Sequence, residues 1–361
     1  MRRDFLRLLA AAAAGSTFLR AFAAAPSDES PGGDLDVLKR PSAHSTRAIG
    51  AVMLALARAG TRLVAAGERG FILLSDDDGS TWRQARTVPV SVTLTAVHFA
   101  NDQVGCAVGH FGVILRTEDG GDTWTLQLDG VKAANLALRD VEARHDAKAE
   151  AAARSLIEDG PDKPFLDVFF ESPRSVYAVG AYGLAFRSDD GGLHWQCWMS
   201  HLDNPKGLHL YAIRTAGQSL FVAGEQGLFL GSNDGARRLT PRTSPYTGSY
   251  FGLVAEQNAD LVLLGLRGRI FRSSDGGQNW VTTETNTKSS VTAGLRLADG
   301  RVLVATQSGE LLISPQAQRQ FKLSRYALGV PIHAVVQTRS GNLVFATMRG
   351  MRTVPLESVL S

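Results

Sequence analysis

The sequence is poor in several residue types, and each shortage excludes a class of protein. Two of the 361 residues are cysteines, which excludes a small scaffold held together by disulfides. The eight histidines form no short metal-ligand motif. No glycine-rich loop leads from a strand into a helix, as a phosphate-binding site requires. We therefore expect neither a metal nor a cofactor.

Long hydrophobic runs are missing after the N-terminal segment. Residues 1–25 begin with Met1-Arg2-Arg3-Asp4-Phe5-Leu6 and continue with an alanine-rich run. Arg-Arg-x-Phe-Leu resembles the consensus of twin-arginine export signals, so residues 1–25 are predicted to be a signal peptide of that type. An ordinary Sec signal is the alternative. Residues 26–34 are predicted to form a tether, and the mature protein is expected in the periplasm.

The basic charge of the chain belongs to this N-terminal segment. The full sequence has Lys+Arg 38 and Asp+Glu 35, a net charge of +3. Residues 1–25 contain four arginines and one aspartate, so the rest has 34 − 34 = 0. A neutral mature chain does not present the basic surface that nucleic acid binding needs. We therefore expect no nucleic acid partner.

What the sequence does contain is a repeat of turn glycines. The steps between them are 42, 71, 44, 41, 41 and 41 residues, and the glycines are Gly70, Gly112, Gly183, Gly227, Gly268, Gly309 and Gly350. A period of about 41 residues is typical of a four-stranded propeller blade. Seven copies over residues 35–361 therefore predict an all-β fold, a seven-bladed β-propeller.

A second turn in four of the repeats carries the Asp-box pattern Ser/Thr-x-Asp-x-Gly-x-x-Trp. The aspartate is expected to cap backbone N–H groups of the turn, and the tryptophan to be buried against neighbouring strands. We expect all four rings to be largely buried. The structural Asp-box residues are Asp77, Trp82, Asp119, Trp124, Asp190, Trp195, Asp275 and Trp280.

Two features interrupt or close the ring of repeats. The long step of 71 residues predicts an insertion at 129–162, between blades 2 and 3. Within it, Ala133 to Glu158 has the spacing of one or two amphipathic helices, which either dock a partner or pack on the propeller. The last repeat has room for three strands, so we predict that Val37 to Lys39 supplies the outer strand of blade 7 and closes the ring.

Strands A to D of each blade are expected to run from the centre outward in antiparallel order. The B–C turns then share one face with the D–A crossings, and the Asp-boxes lie on the other. The residues before the turn glycines vary in chemistry, which favours a binding surface; solvated hairpin tips are the alternative. The candidate partner-binding residues are Arg69, His110, Tyr182, Gln226, Arg267 and Arg349.

The repeats at Val108–Trp124, Val179–Trp195 and Leu264–Trp280 resemble those of the photosystem II stability/assembly factor family, and more broadly BNR-repeat proteins. The resemblance covers about residues 35–361. It implies an exported, non-catalytic propeller that binds membrane-protein assembly intermediates through an arginine-bearing face. Arg69, Arg267 and Arg349 are the analogous arginines here.

The resemblance thus predicts a periplasmic scaffold that assists assembly or stability of a membrane-protein complex of the cell envelope. We expect it to be monomeric and at most peripheral to the membrane. An Asp-box glycosidase of the sialidase type is an alternative, although Arg47-Ala48-Ile49 and Arg269-Ile270-Phe271 are the nearest runs to the sialidase Arg-Ile-Pro signature. A non-catalytic carbohydrate-binding propeller is a second alternative.

Overall fold

Seven antiparallel sheets arranged around one axis form the body of the protein. The computed structural model describes residues 33–232, 238–255, 259–314 and 320–360. In these residues six sheets have four strands and one has three, and neighbours within each sheet follow chain order. The residues from Asp36 onward form one compact unit.

The strands are numbered in chain order. Blade 1 contains β1 (Met53–Ala59), β2 (Arg62–Gly67), β3 (Ile72–Ser75) and β4 (Arg83–Gln84). Blade 2 contains β5 (Leu94–Phe99), β6 (Gly105–Gly109), β7 (Ile114–Thr117) and β8 (Thr125–Leu128). Blade 3 contains β9 (Phe165–Phe170), β10 (Val176–Gly180), β11 (Ala185–Ser188) and β12 (Gln196–Cys197). Blade 4 contains β13 (Leu210–Ala216), β14 (Ser219–Gly224), β15 (Phe229–Ser232) and β16 (Thr240–Pro241).

The remaining three blades follow the same order. Blade 5 contains β17 (Tyr250–Ala255), β18 (Leu261–Gly265), β19 (Ile270–Ser273) and β20 (Val281–Thr283). Blade 6 contains β21 (Val291–Arg296), β22 (Val302–Thr306), β23 (Glu310–Ser314) and β24 (Lys322–Ala327). Blade 7 contains β25 (Ile332–Gln337), β26 (Leu343–Thr347) and β27 (Gly350–Val354).

The first strand of every blade faces a shared central channel. A cavity of about 220 Å³ on the axis is lined by residues from β1, β5, β9, β13, β17, β21 and β25. The second strands are buried along nearly their whole length, so the apolar core lies between neighbouring sheets. A closed ring of seven sheets with strand A innermost confirms the predicted seven-bladed propeller.

The predicted closure by Val37 to Lys39 is wrong. Residues Gly33–Leu38 form a 3-10 helix, and the N–H groups of Lys39 and Arg40 both donate to the carbonyl of Asp36. This turn uses the hydrogen bonds that a strand would offer to a sheet edge, and Pro41 beyond it has no N–H. Val37 lies instead against the crossing from blade 1 to blade 2, where its carbonyl accepts from Ser91 N at 2.9 Å.

The ring closes through a different segment. Residues Thr46–Gly50 form a second 3-10 helix, and Ala51 O accepts a hydrogen bond from Gly350 N at 3.0 Å. Ala48 and Ala51 pack with Met351 in a cluster that joins the cores of blades 1 and 7. In the described residues blade 7 therefore keeps three strands, and packing joins it to blade 1.

The four complete Asp-boxes share one hydrogen-bond pattern. In the second box, Asp119 Oδ1 accepts from Thr117 Oγ1 and from Thr123 N, both at 2.9 Å, and Gly121 N donates to Thr117 Oγ1 at 3.0 Å. The indole of Trp124 donates to Gly121 O at 2.8 Å, and the first and third boxes repeat this bond. In the fourth box the indole of Trp280 donates instead to Thr243 O at 2.9 Å. His194 takes the place of Thr123 in the third box, with Nδ1 2.7 Å from Asp190 Oδ2. The pattern explains why the box tolerates several donors at this position.

The four box tryptophans all pack against the hydrophobic core, but they are buried to different degrees. Trp124 and Trp195 are 3% and 6% exposed, whereas Trp82 and Trp280 are half-buried. Each box packs on the preceding blade, and the first box packs on blade 7, where a Cβ on Gly79 would meet Thr353 and Val344.

The insertion is a helical hairpin, as predicted. Helix α1 is Gly130–Ala143 and α2 is Ala147–Glu158, capped by Asp129 and Asp146. Four residues of α1 are buried, and Ala133 belongs to the core of blades 2 and 3. Helix α2 lies outside α1 and exposes Ile157. The inner helix therefore packs on the propeller, while the outer one offers a surface to solvent.

Other predictions about the N-terminus concern residues before the described part of the chain. The signal peptide at 1–25 lies outside the described residues, and so does the tether except for Gly33 and Asp34. A short helix α3 (Leu356–Leu360) follows blade 7. No helix in the described part of the chain has the length and apolar character needed to cross a bilayer.

Candidate partner-binding face

Five B–C turns have the same backbone conformation. Each contains a non-glycine residue with φ between 52° and 57° followed by a glycine with positive φ, and these residues are Arg69, Phe111, Tyr182, Gln226 and Arg267. Two successive left-handed residues form a type I′ turn, whose twist matches that of the flanking strands. The glycine of each turn is buried, so the residue before it is the one that projects from the face.

The candidate residues all lie at B–C turns, although His110 precedes the left-handed residue Phe111 and Arg349 lies at the blade 7 turn, which has another backbone conformation. Arg69, His110, Tyr182, Gln226, Arg267 and Arg349 are exposed, one from each blade except blade 6. Because the turns connect strands B and C, the six side chains lie on the face opposite the Asp-boxes, here called the B–C face. Their role in binding stays a prediction.

The arginines of the B–C face have no internal partner. Within the described residues, the guanidinium groups of Arg69, Arg267 and Arg349 make no ion pair or hydrogen bond. On the Asp-box face, Arg62 pairs with Asp76 and Arg83 with Asp122, both at 2.6 Å. The B–C arginines are therefore available to an external anion.

Acidic side chains at three of the B–C turns bond to groups within the protein. Glu68 Oε1 accepts from Val52 N at 3.0 Å, and Glu225 Oε2 accepts from His209 N at 3.3 Å. Glu310 Oε2 accepts hydroxyl hydrogen bonds from Thr287 and Ser308, and the first of these does most to lower the pKa of its carboxyl. These carboxylates keep their negative charge but are held by groups of the protein itself, whereas the three guanidinium groups remain free to bind an anionic group of a partner.

A β-bulge occurs in the first strand of every blade, which sequence reasoning missed. The bulged residues are Leu54, Thr95, Leu166, Tyr211, Phe251, Thr292 and His333. All seven line the central channel, near the start of the strand and thus at its B–C end. A bulge re-aims a side chain, so this ring sets the chemistry of the channel mouth. Single-residue bulges leave no distinct trace in the alternation of short strands.

Two threonines of the ring join blades instead of facing a ligand. Thr95 Oγ1 donates to Phe165 O at 2.7 Å, across the boundary between blades 2 and 3. Thr292 Oγ1 donates to Ile332 O at 2.6 Å between blades 6 and 7. The other five side chains of the ring line the mouth of the channel. Two of them, Tyr211 and Phe251, pack edge to face with their ring centroids 5.4 Å apart.

The carboxylate chemistry of the channel does not match a glycosidase. Among the described residues that line it, Asp167 is the single carboxylate, and its Oδ2 accepts from Ile213 N and from the guanidinium of Arg214. Burial raises the pKa of Asp167 despite these bonds. Glycosidases generally need a pair of carboxyl groups on either side of the bond they cleave. The buried Asp167–Arg214 pair instead joins the first strands of blades 3 and 4.

The buried titratable groups nearby are also structural. His98 Nδ1 accepts a hydrogen bond from Phe170 N at 3.2 Å, and burial lowers the pKa of His98 to about 3, so it is neutral. Cys106 is buried and Cys197 half-buried, and both thiols are free. Burial raises the pKa of Cys106 to about 12 and that of Cys197 to about 11. In the described ranges no group of His, Cys, Asp and Glu has metal-site geometry.

A cleft separates the helical insertion from blade 3. Its volume is about 690 Å³, and its apolar wall includes Ala153, Leu156 and Met199. Tyr182 and Lys163 stand at its border, with the ammonium 5.9 Å from the centre of the ring. The cleft therefore opens beside the tip of blade 3, next to the B–C face.

Comparison with known proteins gives a consistent family. The family model for "Photosynthesis system II assembly factor YCF48" matches residues 149–325. The photosystem II assembly lipoprotein Ycf48 of Synechococcus sp. (strain CC9902) is 28% identical over 137 residues. That alignment covers 37% of this chain and 41% of the relative, so the match spans about two fifths of the relative's length.

Solved structures extend the similarity to the whole ring. YCF48 bound to a D1 peptide has a TM-score of 0.63 at 14% identity, covering 85% of this chain and 94% of that one. YCF48 from Cyanidioschyzon merolae has a TM-score of 0.62 at 13% identity, covering 88% and 99%. At these identities the structures show the shared fold. With the sequence matches, they show that part of the chain is similar in sequence to photosystem II assembly factors of the Ycf48 type and that the chain shares their β-propeller fold.

Proposed function

We propose that this protein is a non-catalytic scaffold that binds a membrane-protein complex of the cell envelope, or an assembly intermediate of one, and assists its assembly or stability. The observation that carries the proposal is the B–C face, where exposed Arg69, Arg267 and Arg349 have no internal partner while neighbouring carboxylates do. The names of the relatives, an assembly lipoprotein and a propeller with a bound D1 peptide, support a protein partner.

The periplasm is the compartment that fits this role. The proposal rests on Arg2 and Arg3 in a segment of signal-peptide character. Changing both to lysine should block accumulation in the periplasm, because twin-arginine recognition depends on guanidinium groups. Cell fractionation measures this directly, and unchanged export in a strain without that pathway would indicate a Sec signal instead.

Reversing the free charges of the B–C face tests the binding role. The triple variant Arg69→Glu, Arg267→Glu, Arg349→Glu should capture much less of the partner than the parent protein does. Each charge-assisted hydrogen bond that it loses contributes about 1.5–3 kcal/mol to binding. Its stability should change by at most about 1 kcal/mol, since exposed side chains without partners support nothing in the fold. Crosslinking in cells, followed by mass spectrometry of the captured membrane proteins, compares the variant with the parent.

A second triple variant provides the matched control. Lys322, Arg325 and Arg339 are exposed and lie on the outer strand of blade 6 and on an A–B turn, away from the B–C face. Changing these three to glutamate alters the net charge by the same amount and should leave capture unchanged. Equal recovery of partners by both triple variants would contradict the proposal.

A further inference from the structure

The cleft between the helical insertion and blade 3 has an apolar lining. Leu156 of α2, Cys197 of β12 and Met199 just beyond it pack on the core of blades 2 and 3 but are only partly buried. Because alanine side chains are short, the two helices leave a volume of about 690 Å³ unfilled, within the range of about 300–1,000 Å³ typical of small-molecule pockets. The alanines that line the cleft are Ala137, Ala149, Ala152 and Ala153.

The hydroxyl groups along the cleft are engaged within the protein. Ser155 Oγ donates to Ala151 O at 3.2 Å, and Ser200 Oγ lies 3.3 Å from His201 Nδ1. The Tyr182 hydroxyl makes no hydrogen bond in the described residues, but it stands at the border of the cleft. A peptide backbone or a sugar would lose its bonds to water between these walls without gaining new ones, whereas an aliphatic chain has none to lose.

The charged side chains that line the cleft are paired, with one exception. Among those in the described part of the chain, exposed Arg238 is the one that makes no ion pair or hydrogen bond. Its guanidinium group is therefore available to an anionic group of a ligand. The pairs are Arg144 with Asp140 at 3.0 Å, Arg144 with Asp146 at 3.6 Å, Lys163 with Asp159 at 3.4 Å, and Lys163 with Asp162 at 2.7 Å.

The surroundings of Arg238 favour a negative charge. The residue after Arg238 donates its backbone N–H to His201 O at 2.7 Å, which places Arg238 beside this histidine. Burial lowers the pKa of His201, and more cations than anions act on it. These charged groups are the carboxylate of Asp140 and the guanidinium groups of Arg187, Arg144 and Arg238. A ligand anion beside Arg238 therefore meets an excess of positive charge.

We propose that this cleft binds a ligand with a single aliphatic chain and one anionic head group, of the long-chain fatty acid class. The chain packs on Leu156, Cys197 and Met199, and the carboxylate pairs with Arg238. One unpaired cation matches one negative charge, and one cleft matches one chain rather than the two of a diacyl phospholipid. The inference goes beyond the proposed function and does not depend on it, because the arginines of the B–C face do not line the cleft.

Calorimetric titration of the purified protein tests the chemistry of the ligand. Dodecanoate, used below the concentration at which it forms micelles, supplies both the chain and the carboxylate. Dodecyltrimethylammonium has the same chain with a cationic head group, and acetate has the carboxylate without the chain. Each of these two should bind at least about tenfold more weakly than dodecanoate. Equally tight binding of the cationic probe, or no binding of dodecanoate, would overturn the proposal.

Two neighbouring alanines of α2 locate the chain. Ala152→Phe adds a ring that occupies the cleft, from a position that is exposed, and should weaken dodecanoate binding at least about tenfold. Ala151→Phe is the matched control, since Ala151 is equally exposed but does not line the cleft. Thermal melts of both variants separate lost binding from lost folding. Equal binding by the two variants would contradict the site.

The head group is located by a second pair of variants. Arg238→Ala should weaken binding of dodecanoate and leave that of dodecyltrimethylammonium unchanged, because only the anionic probe pairs with the guanidinium. Arg325→Ala, at an exposed arginine on the outer strand of blade 6, should change neither. Dodecanoate binding that is as tight in Arg238→Ala as in the parent protein would contradict the role of Arg238.

Vesicles separate a free fatty acid from a membrane surface. Arg238→Ala should not change how much of the protein sediments with vesicles of phosphatidylglycerol, since the cleft holds one chain and not a bilayer. Sedimentation that depends on Arg238, in a protein that does not bind dodecanoate, would assign this border to a membrane and overturn the proposal. Capture of membrane proteins through the B–C arginines is measured separately, so either proposal can fail alone.

Discussion

The two kinds of turn on opposite faces of the propeller use their side chains in opposite ways. In the Asp-box turns, the same side-chain types recur and their polar atoms bond within the turn, as with Asp119 and Thr123. In the B–C turns, the backbone recurs but the side chains differ, and those of Arg69, Gln226 and Arg267 make no hydrogen bond or ion pair in the described structure. Repeated chemistry thus marks a turn that holds the fold, and varied chemistry on a repeated backbone marks a surface free to bind.

The largest expected effect comes from removing a buried Asp-box ring. Trp124→Ala should lower the free energy of unfolding by about 3–5 kcal/mol, because it empties a core site 3% exposed that packs on Phe99. Urea denaturation measures the loss. Trp82→Ala should cost clearly less, since that ring is half-buried. A larger loss at Trp82 would show that packing on blade 7 is tighter than the structure indicates.

A smaller effect is expected from a B–C turn glycine. Gly227→Ala places a methyl group about 2.1 Å from Tyr246 O at a φ of +77°, so the turn must shift. The left-handed conformation alone costs an L-residue about 1–2 kcal/mol. Chemical denaturation should therefore show that the free energy of unfolding falls by at least this amount, although the neighbouring Gln226 side chain contributes little to stability. An unchanged stability would mean that the shared backbone is not required.

Acid should affect the Asp-box face more than the B–C face. Hydrogen bonds led by those from Thr81 lower the pKa of Asp77 to about 2, and those from Asn279 lower the pKa of Asp275 to about 2, from 3.8. A carboxyl with a lowered folded-state pKa stabilises the protein above its unfolded pKa and loses this contribution as the pH falls. The melting temperature should therefore fall as the pH is lowered from 4 to 2. Replacing both aspartates by asparagine should flatten that decline, and an unaltered profile would contradict this cause.

The smallest effect is expected where only turn propensity changes. Gln226→Asn keeps an exposed, unpartnered side chain at a φ of 52° and introduces the residue that type I′ turns prefer before glycine. A gain of a few tenths of a kcal/mol is expected, at most about 1 kcal/mol. Paired thermal melts measure it, and a loss would indicate that Gln226 has a structural partner.

The parts of the molecule that repeat could be predicted from the sequence, and the parts that occur once could not. Turn glycines such as Gly112 and box residues such as Trp124 recur at one period, so blade number and the insertion follow from spacing. The position of Val37 depends on its contact with Ser91, which nothing in its own sequence indicates. The rings of His209, Tyr211 and Phe251 contact one another where β13 and β17 are bulged. The sequence of a short apolar strand does not indicate where such a bulge occurs.

The way the ring closes has a consequence for its motion. The chain itself connects each blade to the next from blade 1 to blade 7. Blade 7 meets blade 1 without such a connection, through side-chain packing and hydrogen bonds such as those from Gly350 N to Ala51 O and from Thr353 Oγ1 to Gly79 O. Local opening follows the region with the fewest links to break. Amide hydrogen exchange at Gly350 should therefore be faster than at buried strand positions such as Val262. If the ring opens only between blades 7 and 1, the first strands of blades 3 to 5 keep their positions relative to one another.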